Sequence, residues 1–260
     1  MQIGASTLCG MRGTPRQAVE ALAKRGFIVI EVVFESPHLL SSRDVADLSR
    51  LGREYGLDYS VHGPWLTHNL GHTDVEVRRM NSRLFSRCIQ AAVRLRATHL
   101  VTHGSRMQNL YKNVGFQKHG LLDDFVREIM PVVREAANKG VRLVCENTHS
   151  GSDTFSDFET FSKVVKATGA GLCLDIAHAD LANQRKELLS ITPEYVHAAD
   201  ADILDHQDLH CRIGRGNVNF KWWMGALKRR GYDEKIILEM VKVGDLDSSR
   251  KALLNLWNHV

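Results

Sequence analysis

Six short β-branched runs in this sequence end in a side chain able to bind a metal or carry a proton. They are Val61-His62-Gly63-Pro64, Val101-Thr102-His103-Gly104, Val144-Cys145-Glu146-Asn147, Leu174-Asp175, Val196-His197 and Ile237-Leu238-Glu239. His178 stands three residues after Asp175, and Asp208 and His210 lie in the segment that follows His197. One histidine at the end of a strand ordinarily has a structural role, but successive runs ending in ligand types point to a shared centre. The nine candidates comprise five imidazoles and four carboxylates, drawn from a chain unusually rich in histidine, with 13. Such a nitrogen and oxygen mixture suits zinc or manganese, with another divalent metal such as iron or cobalt also accommodated. Thiolates are not expected to contribute: Cys9, Cys88, Cys145, Cys173 and Cys211 are widely spaced, form no C-x-x-C pair and read as buried small hydrophobes in a reducing compartment.

Residues of this kind must be aimed at one place, and the order of elements shows how. Short apolar runs alternate with amphipathic stretches throughout, the pattern of βα units on a parallel sheet. Strands are predicted over Gln2 to Ala5, Phe27 to Phe34, Leu57 to His62, His99 to His103, Val141 to Glu146, Gly171 to Asp175, Glu194 to Ala199 and Lys235 to Met240. Thr14 before Pro15 predicts a helix start, and Lys24-Arg25-Gly26 and Lys139-Gly140 predict helix ends. From about Asp74 to Leu95, a stripe of Val77, Met80, Leu84, Cys88, Ala91 and Leu95 predicts a helix with one core-facing side. Eight such units without a linker or low-complexity tract predict an α/β protein, a single (β/α)8 TIM barrel domain over residues 1–260. A doubly wound open sheet is disfavoured because no G-x-G-x-x-G follows an early strand. In a barrel the functional site is built at the C-terminal ends of the strands, where the nine candidates fall.

Composition narrows the possible partners. With 260 residues, 43% hydrophobic and 25% charged, the chain should bury an ordinary core. No window approaches the length of a membrane span, and the opening MQIGASTLCG lacks the layout of a signal peptide, so a cytoplasmic protein with no membrane partner is expected. The net charge of +4 permits an anionic ligand without identifying one.

In these residues the sequence resembles the xylose isomerase-like barrel superfamily and, within it, endonuclease IV (AP endonuclease family 2), the zinc-dependent enzymes that cut DNA at abasic sites. The likeness covers nearly the whole chain. It runs through His62, His103, Glu146, Asp175-x-x-His178, His197, Asp208-x-His210 with Gly214-x-Gly216, and Glu239. The resemblance implies up to three zinc ions: one on His62, His103 and Glu146, one on Glu146, Asp175, His197 and Glu239, and one on His178, Asp208 and His210. It implies phosphodiester hydrolysis of DNA at abasic sites, with Glu146 bridging and Glu239 ligating and orienting the nucleophile. Trp65 and Leu66 stand where that family places residues that enter the DNA stack. Among basic residues of candidate upper loops, Arg106, Lys112, Lys118, Arg212 and Arg215 could meet phosphate.

The same superfamily contains sugar and sugar-phosphate isomerases and epimerases that use one divalent metal. Glu146, Asp175, His197 and Glu239 match that smaller set, with Glu146 and Glu239 exchanging protons on carbon and His178 and Arg212 binding hydroxyl or phosphate. Two segments favour this alternative. Phe34-Glu35-Ser36-Pro37-His38-Leu39-Leu40 carries no arginine for DNA, and Ala198-Ala199-Asp200-Ala201-Asp202 reads as an acidic loop that would repel phosphate.

Overall fold

The computed structural model describes residues 1–66, 68–106, 118–151 and 153–260, with residues 118–121 described by backbone alone. Lys112 and the side chain of Lys118 lie outside the described residues. Seven parallel strands, β1 (Gln2–Ser6), β2 (Val29–Val33), β3 (Asp58–His62), β4 (His99–Thr102), β5 (Arg142–Glu146), β6 (Gly171–Asp175) and β7 (Pro193–Ala198), pair in chain order. After them comes a two-stranded antiparallel hairpin, β8 (Asp200–Asp202) and β9 (Gln207–Cys211), and then β10 (Lys235–Leu238). The last strand pairs with both β7 and β1 and closes the barrel.

Helices follow the strands and pack outside them: α1 (Pro15–Lys24), α2 (Ser42–Tyr55), α3 (Val75–Leu95), α4 (Lys118–Asn138), α5 (Phe158–Thr168), α6 (Ile176–Leu181), α7 (Arg185–Leu188), α8 (Phe220–Arg229) and α9 (Leu246–His259). Thr14 caps α1 in a reciprocal bond pair with Gln17, with Pro15 in the first turn, as its sequence implies. The buried face of α3 differs in its first half from the expected stripe. Asn81, Phe85 and Ile89 face inward with Cys88, Ala91 and Leu95, while Met80 is 54% exposed. The bulk of Phe85 decides the rotation of that half of the helix. Among the described residues no helix is long and apolar enough to cross a membrane.

Inside the barrel, six buried residues form a plug separate from the core between strands and helices: Val29, Val101, Val144, Cys173, Tyr195 and Ile237. Side chains two residues apart on a strand share a face. Stepping two residues onward from each plug residue gives Glu31, His103, Glu146, Asp175, His197 and Glu239. A dry apolar layer therefore carries a polar layer directly above it, at the C-terminal end of the barrel. Gly4 of β1 completes the plug by lacking a side chain: a Cβ there would stand 2.7 Å from Ile237 Cδ1 and 2.8 Å from Val29 Cγ1.

The hairpin is absent from the expected strands, and Asp200 explains how it forms. The expected acidic loop is only partly solvent-facing: Asp200 is buried and accepts hydrogen bonds from the N–H groups of Ala201, Gly214 and Val218. Gly214 adopts φ +89, and a Cβ on Gly216 would lie 2.1 Å from the Ala201 carbonyl oxygen, so both glycines serve this turn. On β9, Asp208 and His210 are two apart and share a face, which the hairpin swings over the barrel mouth.

Candidate metal centre

The structure brings the nine expected side chains to one end of the barrel. Glu146 is the hub: its Oε2 lies 3.2 Å from His62 Nε2, 3.2 Å from His103 Nε2 and 3.2 Å from His197 Nδ1. Four groups of potential ligand atoms form at or beside it, each with its atoms within 4.8 Å of one another: His62 with His103 and Glu146; His62 with His197 and Glu239; Glu146 with Asp175, His197 and Glu239; and Glu146 with His197 and Cys173, whose buried thiol, not expected among the ligands, lies in the layer beneath. A further group lies outward, toward the hairpin. His178 Nε2 is 3.1 Å and His210 Nε2 3.0 Å from the same Asp208 oxygen, Oδ2.

The hydrogen bonds behind these histidines show which nitrogen each offers. His62 Nδ1 donates to the Gly63 carbonyl at 2.8 Å, His178 Nδ1 to the Asn147 carbonyl at 3.0 Å, and His210 Nδ1 to the Glu239 carbonyl at 2.8 Å. A carbonyl can only accept, so each Nδ1 carries its proton and each Nε2 is left to face a carboxylate. His197 is turned the other way round. Its Nε2 lies 3.0 Å from Glu31 Oε2, leaving Nδ1 buried, without a hydrogen bond and aimed at Glu146. Fixing one nitrogen by an outer partner and presenting the other is how proteins orient metal-binding imidazoles.

Two lone pairs cannot face each other across about 3 Å without a cation between them. Either the imidazoles take a second proton or a metal occupies the gaps. Burial opposes charge on His62, but Glu146 and Glu31 raise its pKa to about 9. Burial also opposes charge on His178 and His197, yet Asp175 and Asp208 hold the first, and Cys173, Glu239 and Glu31 the second, well above the usual imidazole range. Glu146 falls well below the ordinary carboxylate range despite burial, because His103 and His197 surround it. Asp208 is likewise depressed against burial by His178 and His210. Glu239 differs: burial, reinforced by Glu146 and Glu31, raises it to about 7 although His197 opposes this. Asp175 Oδ2 and Asp208 Oδ1 are buried without a hydrogen bond. Orphaned acceptors beside fixed imidazole nitrogens fit a divalent cation, so these residues form groups able to hold metal, with His210 outside the closest sets and joined to them by Asp208 Oδ2.

Local structure places each group. Asp175 ends β6 and caps α6: its Oδ1 accepts from the His178 N–H at 2.7 Å, which sets the Asp-x-x-His spacing and frees Oδ2. Asn147 binds the end of β6 twice, donating to the Asp175 carbonyl at 3.0 Å and accepting from the Asp175 N–H at 2.9 Å.

A cavity of about 290 Å³ opens above the centre, lined by Trp65, Arg106, Thr148, His149 and Asp153 together with His62, His103, Glu146, His178, Asp208, His210 and Glu239. Trp65 packs edge-on against His62, with ring centroids 4.9 Å apart. Leu66 stands 57% exposed beside it. Both backbone N–H groups donate to Glu35 Oε2, at 2.9 and 2.8 Å, so the buried Glu35 carboxylate fixes this corner. Arg106 reaches the cavity, whereas Arg212 is exposed and is not among the residues that line it.

Four residues that matter here were not among the sequence candidates: Glu31, Glu35, Asn147 and His149. Glu31 had a signal, since it follows Val29 by two within a predicted strand, but it sits mid-run and escapes a search of strand ends. Glu35 and Asn147 act on backbone groups across the fold, for which spacing gives no cue.

Comparisons with known proteins agree with this architecture. A family model described as xylose isomerase-like TIM barrel matches residues 19–256. An uncharacterised protein of Methanocaldococcus jannaschii is 27% identical over 263 residues, covering 97% of this chain and 88% of that protein. A protein of Mycobacterium ulcerans named "Probable endonuclease 4" is 24% identical over 255 residues, covering 92% and 95%. A crystal structure described as a D-tagatose 3-epimerase-like protein superposes with a TM-score of 0.89 at 26% identity, covering 100% of this chain and 99% of that one.

Proposed function

The chain belongs to the xylose isomerase-like TIM barrel family, and from that premise we propose that it is a metal-dependent phosphodiesterase, with DNA at abasic sites as its first candidate substrate. One observation supports the reading: eight of the nine side chains fall in groups of mutually close ligand atoms and His210 adjoins them through Asp208 Oδ2, while five of the nine, His62, His103, His178, Asp208 and His210, have no required role around a single ion. His62, His103 and Glu146 would hold one metal; Glu146, Asp175, His197 and Glu239 a second; His178, Asp208 and His210 a third. Zinc best suits these donors. When bound, such metals neutralise phosphate charge and make a water molecule acidic enough to serve as nucleophile near neutral pH.

The remaining residues supply position. Glu239, little constrained by hydrogen bonds, is placed to orient a water and take its proton. Trp65 and Leu66, held by Glu35, form an apolar corner beside the centre that suits insertion next to a displaced nucleotide. Arg106 at the rim is placed for phosphate.

Elemental analysis of protein purified without chelator should give about three metals per chain, falling to about two in His178→Ala and Asp208→Ala. The loaded protein should nick an abasic-site duplex with steep salt dependence. Three bound metals without nicking would end the DNA assignment.

A second reading has its own support, because a cavity of about 290 Å³ takes a monosaccharide and the group Glu146, Asp175, His197 and Glu239 is the one that a single-metal sugar isomerase or epimerase would need. One metal per chain, unchanged in the two variants, with solvent deuterium exchanging into a ketose or ketose phosphate, would select it.

Glu31 gives a further prediction under either reading. Its carboxylate sets the tautomer of His197, so Glu31→Gln should weaken metal binding about 10- to 100-fold while the fold persists. A competitive chelator titration measures this, and unchanged affinity would reduce Glu31 to packing.

A further inference from the structure

We propose that His149 is a fourth protein ligand at the outer metal position, closing it with His178, Asp208 and His210. The inference rests on the multinuclear reading above. His149 follows β5 by three residues and lines the cavity. Ligand atoms of His149, His178 and Asp208 all lie within 4.8 Å of one another. The His149 and His178 rings are 4.9 Å apart between centroids, tilted by 36°. His149 Nδ1 is buried without a hydrogen bond, and so is Asp208 Oδ1, while Asp208 Oδ2 already stands between His178 and His210.

A buried ring nitrogen that finds no partner is costly, and so is a buried carboxylate oxygen left without one. A cation between the two groups would satisfy both. Three imidazoles and one carboxylate fill a tetrahedral zinc site and leave no open position. The outer ion would then tie the ends of β5 and β6 to the hairpin, and substrate would meet the inner positions, where Glu146 and Glu239 stand.

The test is metal binding alone. Chelated protein is titrated with Zn²⁺ and separately with Co²⁺, whose visible absorption is strong when four-coordinate and weak with added water ligands. Wild type, His149→Ala, His149→Asn and His178→Ala are compared, with circular dichroism reporting the fold. The expected result is one ion bound about 10- to 100-fold more weakly in both His149 variants, with loss of part of the intense cobalt band. If the wild type binds three ions, His178→Ala loses one and the His149 variants match wild type in affinity and spectrum, the ligand assignment is overturned and the proposed function stands. A wild type that binds a single ion, untouched in every variant, overturns both. His149→Asn keeps a polar side chain on the same loop and so preserves the test should His149→Ala fail to fold.

Discussion

Glu146→Gln is expected to empty the inner metal positions and abolish activity. Its carboxylate oxygen lies 3.2 Å from nitrogens of His62, His103 and His197, on or just past three different strands. An amide removes the negative charge, and of its two ends one is a donor that cannot ligate. The glutamine chain is the same length, so the plug beneath it, Val144 and its neighbours, is undisturbed. Affinity at the inner positions should fall by more than about 100-fold, beyond what loss of an outer supporting partner costs. His178, Asp208 and His210 hold together through Asp208 Oδ2, and Glu146 meets this group only by its other oxygen, 3.4 Å from His178 Nδ1, so the outer ion should survive. The expected metal content is therefore about one per chain against about three, with turnover reduced to background. Elemental analysis and a nicking assay on the same preparation measure both quantities. A variant that keeps all its metals would show that Glu146 is not the bridge.

That hub was legible from the sequence because Glu146 ends a strand, and strand ends face the mouth of a barrel. The same logic located His62 and Asp175 as final residues of β3 and β6, and His103 and Glu239 one residue beyond β4 and β10. What the strand-end search could not show is depth. Glu31 lies in the middle of the run it occupies, and only its two-residue spacing from Val29 marks it as part of the polar layer. The hairpin was illegible for another reason. Asp200-Ala201-Asp202 has neither length nor alternation to read as a strand, and three backbone donors that converge on Asp200 from later in the chain create the turn. Arg212 shows the same limit in reverse: only two residues after His210 and one past the end of β9, it is exposed and does not line the cavity.

Glu239→Gln should separate chemistry from metal binding. Glu239 is buried, yet its nearest imidazole nitrogens, His197 Nδ1 and His210 Nδ1, are 3.6 and 3.9 Å away, and the latter already donates to the Glu239 carbonyl. Its carboxylate is thus the least anchored of the inner set. Without metal, burial together with Glu146 and Glu31 lifts it to about 7, and a weakly held carboxylate beside the ions is the group free to take a proton. Glutamine keeps an oxygen that can ligate weakly but cannot exchange a proton. Asp175, His197 and Glu146 remain to hold the ion, so metal content should stay at the wild-type level while kcat drops on the order of 10²- to 10⁴-fold with KM little changed. Loss of an ion together with activity would make Glu239 a ligand only. Full retention of turnover would move the proton-transfer role elsewhere in the cavity. The prediction holds for either substrate class, since phosphodiester hydrolysis needs a group to receive the proton of a water and epimerisation needs one to receive a proton from carbon. Which assay detects the loss is then what tells the two reactions apart.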